Sequence, residues 1–185
     1  MSSQNWDINT EVKQGDWSLF LDRDGVINRR LVDDYVKSWD EFEFLPAVLD
    51  AIAIFTKKFK HIFIVTNQQG VGKGLMSELD LEEIHQRMLQ QIESKGGRID
   101  GVYFCPSLAA DNDTMRKPNP GMAFKAKEEF PDVNHKKSLM VGDSISDMEF
   151  GNNAGMRCVF IGKQPKHLHV DSVFPSLIDL AKAIS

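Results

Sequence analysis

Five short apolar runs punctuate the chain, at residues 17–21, 61–65, 102–105, 139–141 and 158–161. Each is too short for a helix, and several are rich in β-branched or aromatic side chains, so the pattern predicts buried strands. The intervening stretches carry apolar residues at helical spacing. They predict helices over residues 46–58, with Pro46 at the start, and 77–95, opened by Ser77 and Asp80 as a capping pair and closed by Gly96 and Gly97. Further helices are expected over residues 122–129, 146–154 and 176–184. Strands alternating with helices predict an α/β fold in three layers, a parallel sheet with helices on both faces. Ligands of such sheets bind beyond the carboxyl ends of the strands, and the polar motifs of this chain fall there.

The 185 residues suit one domain, expected to span 17–185 behind a polar lead-in of residues 1–16. A formal net charge of −5 argues against a protein whose main affinity is for nucleic-acid phosphates. With two cysteines, Cys105 and Cys158, and no strongly apolar run in residues 1–16, neither a signal peptide nor a membrane span is expected. The cytoplasm is the default location.

Four motifs carry candidate chemistry. Asp22 and Asp24 follow the first strand, with Gly25 free to take a turn closed to other residues; Asp-x-Asp-Gly is also ordinary turn and cap chemistry. Thr66, Asn67 and Gln68 end the second strand, where a hydroxyl and free amides suit phosphate oxygens, or form a plain polar turn. Arg116 and Lys117 stand in a loop stiffened by Pro118 and Pro120 and are either phosphate-binding cations or a solvated basic loop. Asp143 and Asp147 follow a third buried strand, as the oxygen ligands of a hard divalent cation would. Asp147 is also placed as a helix-start acid.

The four stretches Phe20–Asn28, Thr66-Asn67-Gln68, Arg116–Met122 and Gly142–Asp147 together resemble the motifs of the haloacid dehalogenase superfamily. Asp34-Tyr35-Val36 and Phe42-x-Phe44 resemble the branch holding heptose bisphosphate and histidinol-phosphate phosphatases. The resemblance implies a Rossmann-like domain and a phosphatase working through an aspartyl phosphate. Asp22 is then the nucleophile, Asp24 the acid and base, Thr66 and Lys117 the phosphate holders. Mg²⁺ is implied on Asp22, Asp143 and the main-chain carbonyl of Asp24, with Asp147 orienting Lys117 or the metal's water. Asp24, near phosphate, is expected to titrate above Asp22, which faces the metal.

The gaps between motifs leave no room for a separate cap domain, so the site is expected to lie open. Asn67 is a substrate-binding candidate, and Lys73 and Arg116 are either cations for a second, distal phosphate or solvated surface charges. Relatives bind zinc in the loop before the third motif; here Cys105, Ser107, Asp113 and Met115 stand at those positions, so no structural zinc is expected. The expected partner is a small phosphorylated metabolite met by a monomer, with heptose bisphosphate first and histidinol phosphate close behind. A polynucleotide 3′-phosphatase and a catalytically silent binding module are the competing readings.

Overall fold

The computed structural model describes residues 6–12, 15–166, 168 and 170–185. Six parallel strands form one sheet in the order β3-β2-β1-β4-β5-β6: β1 (Ser18–Leu21), β2 (His61–Asn67), β3 (Gly101–Cys105), β4 (Ser138–Gly142), β5 (Arg157–Ile161) and β6 (Ser172–Phe174). The helices are α1 (Ile8–Glu11), α2 (Val48–Lys58), α3 (Gln69–Gly72), α4 (Glu78–Ser94), α5 (Gly121–Glu129), α6 (Ile145–Ala154) and α7 (Leu177–Ala183).

Alternate side chains of each strand point to opposite faces, and here both faces are buried. Leu19, Leu21, Ile62, Ile64, Leu139 and Val141 pack beneath α2, α4 and α7. Phe20, Phe63, Val65, Met140, Cys158 and Phe160 pack beneath α5 and α6. That division gives the three layers and explains why the strands read as continuous apolar runs rather than alternating ones. No helix among the described residues is long and apolar enough to cross a membrane.

Three boundaries depart from expectation. Helix α2 begins at Val48 rather than Pro46, because Ala47 lies in the left-handed region at φ 57° and cannot continue a right-handed helix. The lead-in contributes to the core: Ile8 and Val12 are buried, and the Trp6 ring lies 6.4 Å from that of Trp17. Strand β6 has no apolar run to announce it, since at the sheet edge its three residues are only half-buried or exposed.

Helix α4 starts as its sequence implies. Ser77 accepts from the Asp80 N–H, and Asp80 returns a bond to the Ser77 N–H, leaving Leu81, Ile84, His85, Met88 and Ile92 on the buried face.

Candidate active site

The chain passes from β1 to β2 on one side and later to β4 on the other, so β1 borders the switch point of the sheet. Leu21 pairs with Ile64 and with Val141, and Asp22 emerges between the ends of those strands. Its N–H donates to the Val141 carbonyl at 2.9 Å. Asp22, Asp143 and Asp147 each bring one carboxylate oxygen within 4.8 Å of the others.

Lys117 reaches this point from a loop nearly a hundred residues away. Its Nζ donates to Asp22 Oδ1 at 2.7 Å, Asp147 Oδ1 at 2.6 Å and the Val65 carbonyl at 2.9 Å, which commits all three ammonium hydrogens. One buried ammonium therefore serves two buried carboxylates. Burial raises the Asp22 pKa and repulsion by Asp147 adds to it, with Lys117 opposing. Burial alone would favour neutral Lys117, but Asp147 and Asp22 outweigh it and hold the ammonium charged.

Asp147 also accepts from the Ser144 hydroxyl at 2.6 Å and the Ser144 N–H at 3.1 Å through its other oxygen. It is thus at once the helix-start acid of α6 and a hydrogen-bond partner of the Lys117 ammonium. Glycine is required beside it, because a Cβ on Gly142 would run into the Asp147 side chain. Gly25, at φ 98°, likewise lets the turn after Asp24 pass against the Asp143 carboxylate.

Asp24 sits in a different electrostatic setting. Its Oδ1 accepts from Arg23 Nη2 at 3.0 Å and Asn28 Nδ2 at 2.9 Å, and its Oδ2 from Gln68 Nε2 at 2.7 Å. Burial pushes its pKa up, but the Arg23 charge and these hydrogen bonds more than reverse that. The protein's own groups therefore hold Asp24 low and lift Asp22, whereas the expected order refers to the site with phosphate and metal bound. Contacts from Arg23 and Gln68, invisible in a motif, set the result.

Asn67 also differs from expectation. Its Oδ1 accepts from the Lys117 N–H and its Nδ2 donates to the Lys117 carbonyl, both at 3.0 Å. The amide is a clasp on the lysine's main chain rather than a free phosphate donor. Thr66 is buried beside it, its Oγ1 accepting from Gln68 Nε2 at 2.9 Å.

Lys73 and Arg116 reach the same cleft, about 440 Å³ in volume, as Asp22, Asp24, Thr66 and Lys117. Gln69 and Tyr35 link the two cations: Arg116 donates to Gln69 Oε1 at 3.3 Å, Gln69 Nε2 to the Tyr35 hydroxyl at 2.7 Å, and Lys73 to that hydroxyl at 2.9 Å. Arg30, exposed, approaches Asp143 at 3.7 Å.

A family model described as HAD-hydrolase-like matches residues 114–179. The D-glycero-alpha-D-manno-heptose-1,7-bisphosphate 7-phosphatase of Mycobacterium bovis is 42% identical over 173 residues, covering 91% of each chain. The D-glycero-beta-D-manno-heptose-1,7-bisphosphate 7-phosphatase of Neisseria meningitidis is 35% identical over 176 residues, or 90% of this chain and 93% of that one. Among solved structures, the D,D-heptose 1,7-bisphosphate phosphatase from B. bronchiseptica, complexed with magnesium and phosphate, superposes with a TM-score of 0.82 at 31% identity, covering 90% of this chain and 96% of that one. The chain belongs to the haloacid-dehalogenase-like hydrolases, in the branch of the heptose-bisphosphate phosphatases.

This hydrolase's acidic group suits a hard divalent cation. The donors are carboxylate oxygens, they outnumber the single ammonium, and Asp143 Oδ1 is buried without a partner among the described residues. In the loop where relatives are expected to bind zinc, Asp113 is the hub. Its carboxylate accepts from the Ser107 hydroxyl at 2.5 Å, the Cys105 thiol at 3.6 Å and the Met115 N–H at 2.8 Å, and Asn119 donates to its carbonyl at 2.9 Å. Those bonds hold the approach to Arg116 and Lys117, in addition to the prolines.

Gln68, noted with Thr66 and Asn67 for phosphate oxygens, donates instead to Asp24 and Thr66, and sequence reasoning assigned no role at the site to Tyr35, Arg30, Arg23 or His85. Gln68 and Tyr35 lie inside stretches already noted, so position was their signal. For His85 the signal was a titratable residue on the buried face of α4.

Proposed function

We propose that this phosphatase removes the 7-phosphate from D-glycero-D-manno-heptose 1,7-bisphosphate, with Mg²⁺ as cofactor and Asp22 as nucleophile. The observation carrying the reading is a single cleft with two cationic ends, Lys117 at the floor beside Asp22 and Lys73 with Arg116 at the rim. Such a cleft suits a ligand with two phosphates. The names of the relatives support the sugar.

Asp22 attacks phosphorus with an oxygen not committed to Lys117, and the bond from phosphorus to the sugar oxygen breaks. With the ester dianion beside it offsetting the pull of Arg23, Asp24 carries a proton, gives it to that oxygen, then takes one from the water that attacks the aspartyl phosphate. The bond between phosphorus and Asp22 breaks, and inorganic phosphate leaves. Throughout, Lys117 and Thr66 hold the equatorial oxygens as negative charge spreads onto them. Lys117 exchanges one of its present partners for phosphate, while the Asn67 clasp and Asp147 keep it aimed. Asp22, Asp143 and the Asp24 main-chain carbonyl would hold Mg²⁺, which would supply positive charge to offset repulsion between the ester dianion and the nucleophile.

The test is phosphate release from heptose 1,7-bisphosphate, heptose 7-phosphate, histidinol phosphate and a 3′-phosphorylated oligonucleotide. The bisphosphate is expected to have the highest kcat/KM. Lys73→Ala and Arg116→Ala each lower that value by about tenfold for the bisphosphate and leave the monophosphate nearly unchanged. Equal losses on both esters would remove the distal-phosphate role. Preference for the oligonucleotide would overturn the metabolite reading.

A further inference from the structure

Arg23 is the residue between the two motif acids and is buried completely. Burying a guanidinium is costly unless its hydrogens find partners, and Arg23 Nε has none among the described residues. Its fixed points are the two ends of the fork. Nη2 donates to Asp24 Oδ1 at 3.0 Å, and Nη1 lies 3.1 Å from His85 Nε2. An arginine only donates, so Nε2 of His85 is the acceptor and the imidazole proton sits on Nδ1. Burial, with the Arg23 charge adding to it, pushes the His85 pKa down to about 3. The ring is thus neutral at working pH and keeps the lone pair that Arg23 requires.

We infer that Arg23 and His85 are positioning residues that select which oxygen of Asp24 exchanges protons with substrate and water. The geometry is a relay from α4 to the acid. His85 is anchored on the buried face of α4, with its ring 5.9 Å from that of Phe104. It fixes one end of a planar fork whose other end rests on Asp24. Arg23 and Asn28 together occupy Oδ1, so the carboxylate is turned with Oδ2 as its exchanging atom. Gln68 is the group recorded on Oδ2, at 2.7 Å. Without His85 the fork keeps one anchor and is free to swing, which loosens the hold on Asp24 that Arg23 shares with Asn28 and Gln68.

This inference rests on the acid and base role proposed for Asp24, and the test separates the two. Turnover of p-nitrophenyl phosphate, whose leaving group barely needs a proton, is compared with that of an alkyl phosphate such as heptose 7-phosphate, for the wild type, His85→Leu and His85→Gln. Leucine offers no acceptor; glutamine offers one at similar reach. In His85→Leu, kcat for the alkyl ester is expected to fall by about tenfold or more, against less than about threefold for the aryl ester, with KM little changed. His85→Gln recovers most of the alkyl-ester loss. Equal losses for both esters, or no loss, would overturn the positioning role. A wild type that is itself insensitive to the leaving group would instead overturn the acid role of Asp24. Should His85→Leu not fold, His85→Asn carries the same comparison, because its side chain is polar but too short to reach Arg23.

Discussion

Replacing Lys117 by methionine tests the central arrangement, because the side chain keeps its reach as far as Cε and loses the ammonium. Three hydrogen bonds vanish, two of them to buried carboxylates at 2.6 and 2.7 Å. The damage is set less by those bonds than by what remains, since the buried Asp22 and Asp147 are then left with no ammonium between them. Removing one partner of a buried ion pair costs about 3–5 kcal/mol. For a chain of this size each kcal/mol moves Tm by about 2–4 °C, so the fall is roughly 6–20 °C. Turnover drops by at least about 10³-fold, as for other lost donors at the charge of a transition state. The assay pairs thermal unfolding followed by circular dichroism with phosphate release, for the single variant and for Lys117→Met combined with Asp147→Asn. The double variant recovers part of the lost Tm, because one uncompensated charge is gone and the amide oxygen still accepts from Ser144. It recovers none of the turnover. A single variant with a Tm within about 2 °C of wild type would refute the shared-ammonium reasoning.

Asp22→Asn nearly preserves shape but lacks the attacking anionic oxygen, so it is expected to fold and to lose at least about 10⁴-fold in turnover, read by phosphate release at matched Tm. Asn67→Ala removes both bonds to the Lys117 main chain and is expected to lower stability by about 2 kcal/mol and kcat by about tenfold, checked by urea unfolding and steady-state kinetics. The His85 pKa falls on folding from an ordinary 6.5 to about 3. In acid the unfolded chain therefore takes up a proton that the folded one refuses, and the stability contributed above pH 6.5 drains away as pH falls toward 3. At pH 5 the loss is about 2 kcal/mol. Urea unfolding of His85→Gln, which lacks this component, is expected to show a correspondingly shallower fall between pH 8 and pH 5.

What the sequence determined by itself was everything that short-range pattern encodes. Apolar runs of strand length separated by helix-period stretches specify a parallel sheet covered on both faces, because that arrangement buries both sides of the strands that carry those runs. The placement of Asp22, Thr66 and Asp143 at strand ends was legible for the same reason, as was the Ser77 cap of α4. The edge strand β6 was not, since its burial comes from one neighbour and leaves no apolar run. Tertiary structure alone decided the electrostatics. Asp24 lies two residues from Asp22, yet Arg23 and Gln68 hold it low while Asp147 and burial lift Asp22. It also decided that Asn67 grips Lys117 rather than phosphate, and that His85, 62 residues beyond Arg23, completes the support of Asp24. Charge and hydrogen-bond geometry act through space over a few ångströms, and which groups come that close is fixed by how α4 and the Lys117 loop pack on the sheet, a quantity that local sequence does not contain.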